Sequence, residues 1–163
     1  MKTIIGVMGP GSKEAENDDL ICAYEVGKIV AGTKCVLLCG GMTGTMEASA
    51  KGSSEAGGLV VGIGPTMDKL EMNKYVDVPI LTGMHAGRNF INVLSSDVLI
   101  FVSVGSPGTL SELAFAIQLG KPTIVIRGSD SLKSYILGLK SKSVNFVDSL
   151  SDLQQVLMKL IKT

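Results

Sequence analysis

A glycine-rich turn between an apolar strand and a helix is the feature of this chain best suited to chemistry. Val98–Val102 is a continuous apolar run, which is typical of a buried parallel strand. Apolar residues at helical spacing after the turn predict a helix that starts near Thr109. The first N–H groups of a helix lack partners and carry the positive end of its dipole, so a phosphate could bind there. The candidate ligand-binding residues of this turn are Gly105, Ser106, Gly108 and Thr109.

A structural alternative exists for the same turn, because Thr109 and Glu112 also fit a capping box that only satisfies the helix start. Capping does not explain a second glycine cluster, which follows the apolar strand Val36–Cys39 and precedes a helix from about Met46. Two such turns favour an anion site more strongly than one. The second cluster adds the candidates Gly40, Gly41, Thr43, Gly44 and Thr45.

The loop after the first strand completes the set, with Gly9, Gly11 and Ser12 between an apolar run and a predicted helix. This is the context of the dinucleotide fingerprint, but the third glycine is missing. Residues 120–122 read Gly-Lys-Pro where a P-loop requires Ser or Thr after the lysine. Neither familiar nucleotide motif is complete, and the spacing gives a nicotinamide cofactor no support.

Apolar strands alternate with helical segments along the chain, which predicts an α/β domain with a mainly parallel sheet. The predicted strands cover residues 3–8, 36–39, 59–63, 76–81, 98–104, 123–126 and 144–147. The predicted helices cover residues 17–31, 46–56 and 88–94, and two more begin near Thr109 and at Ser151. Ser151 and Gln154 form another capping box at the start of the last helix.

Length and charge exclude several classes of protein. The 163 residues fit one domain, 1–163, with a sizeable core. Fifteen basic and fifteen acidic residues cancel without a run of Lys or Arg, so nucleic acid is not an expected partner. No apolar stretch approaches the roughly 20 residues of a membrane helix, and no signal-peptide pattern precedes the first strand. We expect a cytoplasmic protein without a membrane partner.

The three cysteines argue against a disulfide framework and suit a reducing compartment. Cys35 and Cys39 are separated by three apolar residues, so on a strand they would share a face as core residues. The eight methionines are scattered and serve as gap fillers. No metal-ligand set is predicted.

Three segments, residues 40–47, 82–89 and 105–112, carry a resemblance to a known superfamily. Together they resemble the superfamily of molybdenum-cofactor carrier proteins and Lonely Guy cytokinin-activating phosphoribohydrolases, whose members are often labelled possible lysine decarboxylases. The similarity runs from the first strand to the strand after residues 120–122. It implies a Rossmann-like three-layer domain with helices on both faces of the sheet, which forms homodimers or homotetramers and binds a phosphorylated, nucleotide-like ligand.

The resemblance also implies roles for individual residues. Hydrolytic members carry a PGGxGTxxE motif with a paired arginine, and the matching positions here are Gly108, Thr109, Glu112 and Arg88. Glu112 would then orient water or stabilise charge at the sugar carbon, and Arg88 would hold the phosphate or assist the departing base. Asn89, next in the chain, joins the ligand-binding candidates.

This chain departs from the hydrolase motif. Residues 104–107 read Val-Gly-Ser-Pro where the hydrolases have Pro-Gly-Gly and a variable residue, and Ser111 replaces the first of their two adjacent acids. These departures favour the short carrier-like branch, whose members are binders. The implied bound ligand is a molybdenum cofactor or a nucleotide, with no cofactor required. The decarboxylase label has no chemical basis, because no lysine lies in a recognisable pyridoxal-phosphate setting.

Simpler roles compete with the functional ones. Arg88 could pair with a carboxylate at a helix start. His85 could be a solvated loop side chain. Glu47 could lie near its helix start only because a carboxylate there interacts favourably with the helix dipole. Two hypotheses remain for one pocket: a non-catalytic carrier of a phosphorylated cofactor, and a hydrolase that releases free base and ribose 5-phosphate from nucleoside 5'-monophosphates.

Overall fold

The seven strands within residues 1–162 lie in one parallel sheet. The computed structural model describes residues 1–162. The strands are β1 Ile4–Met8, β2 Val36–Cys39, β3 Val60–Gly64, β4 Val78–Leu81, β5 Val98–Val102, β6 Thr123–Ile126 and β7 Val144–Val147. Their order in the sheet is β4-β3-β2-β1-β5-β6-β7, and every pairing is parallel. The predicted strands are confirmed, with bounds that differ by one or two residues.

Helices cover both faces of this sheet, as predicted. They are α1 Asn17–Gly32, α2 Thr45–Glu55, α3 Arg88–Ser95, α4 Pro107–Gln118, α5 Asp130–Gly138 and α6 Leu150–Leu160, with 3-10 turns at Lys69–Glu71 and His85–Gly87. Residues of α1, α2 and α6 share one apolar cluster with the sheet, and residues of α3, α4 and α5 share another. The chain therefore has a Rossmann-like, three-layer α/β fold; the prediction omitted α5.

Two predicted helix starts are wrong, because a serine further upstream caps each helix. The Thr109 N–H donates to Ser106 Oγ at 3.2 Å, so α4 begins at Pro107 and Glu112 belongs to its second turn. The proposed Thr109–Glu112 capping box is therefore wrong. In α6 the Asp152 N–H donates to Ser149 Oγ at 3.1 Å, which places the start before Ser151.

The sheet order changes direction at its centre. β1 pairs with β2 on one side and with β5 on the other, so the chain leaves β1 to build one half of the sheet and returns to build the other half. At such a switch point the loops at the carboxyl ends of neighbouring strands diverge and leave a crevice. The loops after β1, β2 and β5, which hold the predicted glycine turns, meet at this crevice.

Within residues 1–162, no helix combines the length and the apolar character that a membrane span requires. The cytoplasmic location and the single domain stay predictions.

Candidate functional site

A pocket of about 160 Å³ lies in the crevice between the loops after β1, β2 and β5 and the first turns of α3 and α4. Its walls include most of the predicted site residues, namely Gly9, Gly11, Gly40, Arg88, Asn89, Ser106, Gly108, Thr109 and Glu112. Met8 and Met46 complete the lining. A larger hollow of about 600 Å³ lies at the amino ends of β6 and β7, but no buried charged side chain lines it.

The start of α4 offers one free backbone donor to the pocket. Pro107 has no N–H, and the N–H groups of Thr109 and Leu110 donate to the side chain and the carbonyl of Ser106. Within residues 1–162, the Gly108 N–H is left without a partner. It lies in the first helical turn, where the dipole favours an anion.

Arg88 places a buried positive charge beside this donor. Its side chain belongs to the first residue of α3, and the residue is only 9% exposed. A Cβ on Gly40 would overlap the guanidinium, so glycine is needed there for Arg88 to lie against the backbone. Nη2 lies 3.9 Å from Met46 Sδ, and Nε is buried without a hydrogen-bond partner.

No carboxylate within residues 1–162 lies close enough to form an ion pair with Arg88. Burial lowers the pKa of its guanidinium, and the negative charge of Glu112 partly offsets that effect. An arginine nevertheless stays protonated in proteins. The alternative of a solvated Arg88 paired at a helix start is therefore wrong, and the charge is left for another partner.

Glu112 is the acidic group of the pocket and is 6% exposed. Burial raises its pKa to about 7, although the Asn92 amide and the Arg88 charge act in the opposite direction. The Asn92 Nδ2 donates to Glu112 Oε1 at 3.2 Å, and the Asn92 Oδ1 is buried without a partner. Near neutral pH, Glu112 can therefore hold or release a proton inside the pocket.

Asn89 links the two helices that carry these charges. Its Nδ2 lies 3.3 Å from the Gly108 carbonyl and 3.0 Å from Ser111 Oγ, so it ties the start of α3 to the start of α4. The distance between Arg88 and the Gly108 N–H is thereby fixed by the fold.

The glycine turn after β2 packs against the loop after β1, which lines the pocket. Both the N–H and the hydroxyl of Thr45 donate to the Pro10 carbonyl, at 3.1 and 2.8 Å, so the first N–H of α2 already has a partner. Gly44 has φ +74, and a Cβ there would overlap the backbone of Gly11. The turn therefore positions the loop after β1.

Several predicted binding residues consequently lie outside the pocket lining: Ser12, Gly41, Thr43, Gly44, Thr45 and Gly105. The hydroxyls of Thr43 and Ser12 bond to each other at 3.0 Å near the surface. Gly41 is covered by the Met72 side chain, and Gly105 is exposed. His85 is also exposed, as its simpler role predicts.

Sequence reasoning missed three residues of this region: Met8, Met46 and Asn92. Met8 ends β1 and Met46 follows the first residue of α2, so neither carried a polar signal. Asn92 could have been found, because it lies four residues after Arg88 and therefore on the same face of α3.

The arrangement can hold an anion of limited size. It combines a buried cation, a free helix-start N–H and close-packed glycine backbone, which together suit a phosphate. Within residues 1–162, no group of three or more His, Cys, Asp or Glu side chains could hold a metal ion.

Comparisons with known proteins agree with this fold. Residues 2–157 match the model of the SLOG cluster4 family. A molybdenum cofactor binding protein from Rippkaea orientalis is 40% identical over 99% of this chain and 96% of its own, with a TM-score of 0.89. The molybdenum cofactor carrier protein of Chlamydomonas reinhardtii is 34% identical over 99% of this chain and all of its own, with a TM-score of 0.93.

An uncharacterized protein from Archaeoglobus fulgidus is 45% identical over 130 residues, a match that covers 76% of this chain and 83% of that protein. The family match and the carrier proteins extend over nearly the whole chain, from β1 to the last helix. The chain thus belongs to the SLOG cluster4 family, within the superfamily that includes the molybdenum-cofactor carrier proteins.

Proposed function

We propose that this protein binds a phosphorylated, nucleotide-like small molecule and acts as a carrier, with the molybdenum cofactor as the first ligand to consider. One observation carries the proposal: Arg88 is a buried cation without an ion-pair partner in residues 1–162, and it lines a pocket beside the free Gly108 N–H. The relatives described as molybdenum cofactor binding and carrier proteins support the choice of ligand.

The residues present fit the phosphate end of such a ligand. The Nε of Arg88 and the Gly108 N–H are donors without partners within residues 1–162, and the glycine backbone allows close approach. The pocket of about 160 Å³ is smaller than the roughly 300 Å³ or more that pockets for drug-sized ligands provide. We therefore assign only the phosphate and its nearest atoms to it, and place the ring system outside. The bound cofactor would supply a molybdenum centre to the enzyme that receives it.

Glu112 favours a second candidate function, the phosphoribohydrolase. A carboxyl group with a pKa near 7 is suited to general acid or base catalysis, and Arg88 lies in the same pocket. The changed motif weighs against it, because Val104 and Ser106 stand where the hydrolases have the proline and the second glycine of Pro-Gly-Gly.

Glu112→Gln separates the two functions. We expect wild-type protein incubated with AMP and N6-substituted AMP to release no free base, as judged by chromatography. The variant should bind ribose 5-phosphate at least as well as wild type in a calorimetric titration, because a neutral amide does not repel phosphate. Base release by the wild type that is lost in Glu112→Gln would instead establish a hydrolase, since loss of an acid or base group typically costs 100- to 10,000-fold.

The pH dependence of binding follows from the same carboxyl group. Above its pKa of about 7, Glu112 is ionised and repels a phosphate dianion, so the affinity for ribose 5-phosphate should fall between pH 7 and 8.5, by up to about tenfold per unit. A phosphate monoester has its second pKa near 6 and stays a dianion over this range. Arg88 stays charged, and burial raises the pKa of the Cys39 thiol to about 11, so neither changes.

Calorimetry at four pH values would measure this slope, with Glu112→Gln as the matched variant. The variant should show a flat profile. Equal slopes in the two proteins would assign the effect to another group.

Self-association stays a prediction. The outer face of α3 and α4 exposes Phe90, Leu94 and Leu110, the kind of apolar surface that a second copy would cover in the expected homodimer or homotetramer.

A further inference from the structure

Two asparagines of α3 reach the neighbouring helix α4, and the function proposed above gives the second of them no role. Asn89 bonds to the first turn of α4, whereas Asn92, about one turn further along α3, donates from Nδ2 to Glu112 Oε1 at 3.2 Å. The Asn92 side chain is fully buried and does not line the pocket. It therefore contacts the acid of the pocket without contacting a ligand bound there.

Asn92 supplies the one hydrogen bond that the Glu112 side chain makes within residues 1–162. Burial is the largest influence on the pKa of Glu112 and raises it, whereas the Asn92 bond lowers it. The direction follows from the donor, because an N–H favours the ionised form of a carboxyl group and binds a charge roughly twice as strongly as it binds a neutral group. Asn92 therefore opposes the effect of burial.

The other polar atom of the amide suits the protonated carboxyl group. Asn92 Oδ1 is buried and has no hydrogen-bond partner within residues 1–162. A protonated Glu112 needs an acceptor for its O–H, and a half-turn of the amide about its last side-chain bond would present Oδ1 to it. Asn92 can thus pair with Glu112 in both protonation states, so the carboxyl group does not have to move when it titrates.

The other groups that face Glu112 keep their charge near neutral pH. Within residues 1–162, the titratable groups that act on Glu112 electrostatically are Arg88 at the start of α3 and Cys39 at the end of β2. An arginine stays protonated in proteins. Burial raises the pKa of the Cys39 thiol to about 11, so it stays neutral. A change in binding between pH 6 and 8 therefore reports on Glu112.

We propose that Asn92 is a positioning residue for this pocket: its amide holds the Glu112 carboxyl in both protonation states and controls how phosphate binding responds to pH. The effect on binding rests on the phosphate site proposed above, and the inference adds the residue that regulates this site. A phosphate is retained while Glu112 carries a proton and is repelled once Glu112 is ionised. Because Asn92 favours the ionised form, it promotes release of the ligand above neutral pH.

Asn92→Leu tests this role, because leucine branches at the same carbon and has no donor. Carbon-13 NMR of the protein without ligand should show the carboxyl titration of Glu112 shifted upward by about one pH unit, which is what a hydrogen bond to a charged group contributes. The resonance that disappears in Glu112→Gln identifies this carboxyl group. Calorimetry should give an affinity for ribose 5-phosphate within about twofold of wild type at pH 6 and about fivefold above it at pH 8.

Asn145→Leu is the matched control. Asn145 Nδ2 donates to the Thr123 carbonyl at 3.2 Å, so this variant loses a similar bond in β7, away from the pocket. It should leave the carboxyl titration and both affinities unchanged. Asn92→Asp is a second test that keeps the shape of the side chain: two adjacent carboxyl groups share a proton, so the last proton should leave above pH 8.

An unchanged titration of Glu112 in the Asn92 variants would overturn the inference. An equal loss of affinity at pH 6 and pH 8 would do the same, because a purely structural asparagine would produce it. Either result would leave the phosphate site intact. If wild-type protein fails to bind ribose 5-phosphate while the Glu112 titration shifts as expected, the phosphate site and the effect of Asn92 on binding are overturned, and Asn92 positions only the carboxyl group.

Discussion

Replacing Arg88 with glutamine should weaken the binding of ribose 5-phosphate by about 100-fold. The guanidinium is buried and has no carboxylate partner within residues 1–162, so a bound phosphate would be its main counter-charge. Loss of one partner from a desolvated charge pair typically costs 2 kcal/mol or more, which corresponds to roughly 30-fold and upward. Calorimetry on the purified variant measures the change directly.

The stability of the Arg88→Gln variant should not fall along with its affinity. A buried cation without a partner costs free energy, so Arg88→Gln should retain or raise the free energy of unfolding in urea. A drop in both affinity and stability would indicate a structural role for Arg88 instead.

The control for this variant is Arg127→Gln, since Arg127 is the other arginine of the chain. Its Nε donates to Asp19 Oδ1 at 2.7 Å, and the carboxylates of Glu16 and Asp18 lie 3.8 Å from its other nitrogens. It already has counter-charges and does not line the pocket. Binding should stay within about twofold of wild type, because phosphate affinity depends on the unpaired cation.

The sequence was sufficient for the architecture because the central strands β1, β2 and β5 are short, almost continuous apolar runs. Val98–Val102 is buried along its whole length, which only a central strand with helices on both faces produces. The cap errors at Thr109 and Ser151 have a common cause. A capping-box pattern can be satisfied inside a helix whose true cap lies two or three residues earlier, and only the backbone conformation distinguishes the two.

The site was partly predictable for a similar reason. Glycine turns after buried strands indicate where backbone can approach a ligand, and Gly9, Gly40 and Gly108 do line one pocket. The same pattern cannot distinguish a turn that lines a site from one that supports it. Thr45 is such a case, because its N–H donates to the Pro10 carbonyl. The burial of Arg88 depends on packing against Gly40, a contact between distant segments.

Gly108→Val should abolish measurable binding of ribose 5-phosphate, with a loss of at least about 100-fold. A Cβ on Gly108 would have Asn89 Nδ2 at 3.7 Å and Ser106 Oγ at 3.8 Å as its nearest neighbours, and both residues line the pocket. The added side chain would therefore extend into the space beside the free N–H. The phosphate would lose both its approach and a backbone donor.

The variant should still fold, because these distances are ordinary van der Waals contacts and the glycine φ is not positive. We expect the free energy of unfolding in urea to change by less than about 1 kcal/mol. Gly138→Val is the matched control: it adds the same side chain at the end of α5, where nothing lies within 4 Å, and it should bind normally. Gly108→Ala should give an intermediate affinity, since its single methyl group fills less of the space. Unchanged affinity in Gly108→Val would remove the start of α4 from the site and leave Arg88 to bind the phosphate alone.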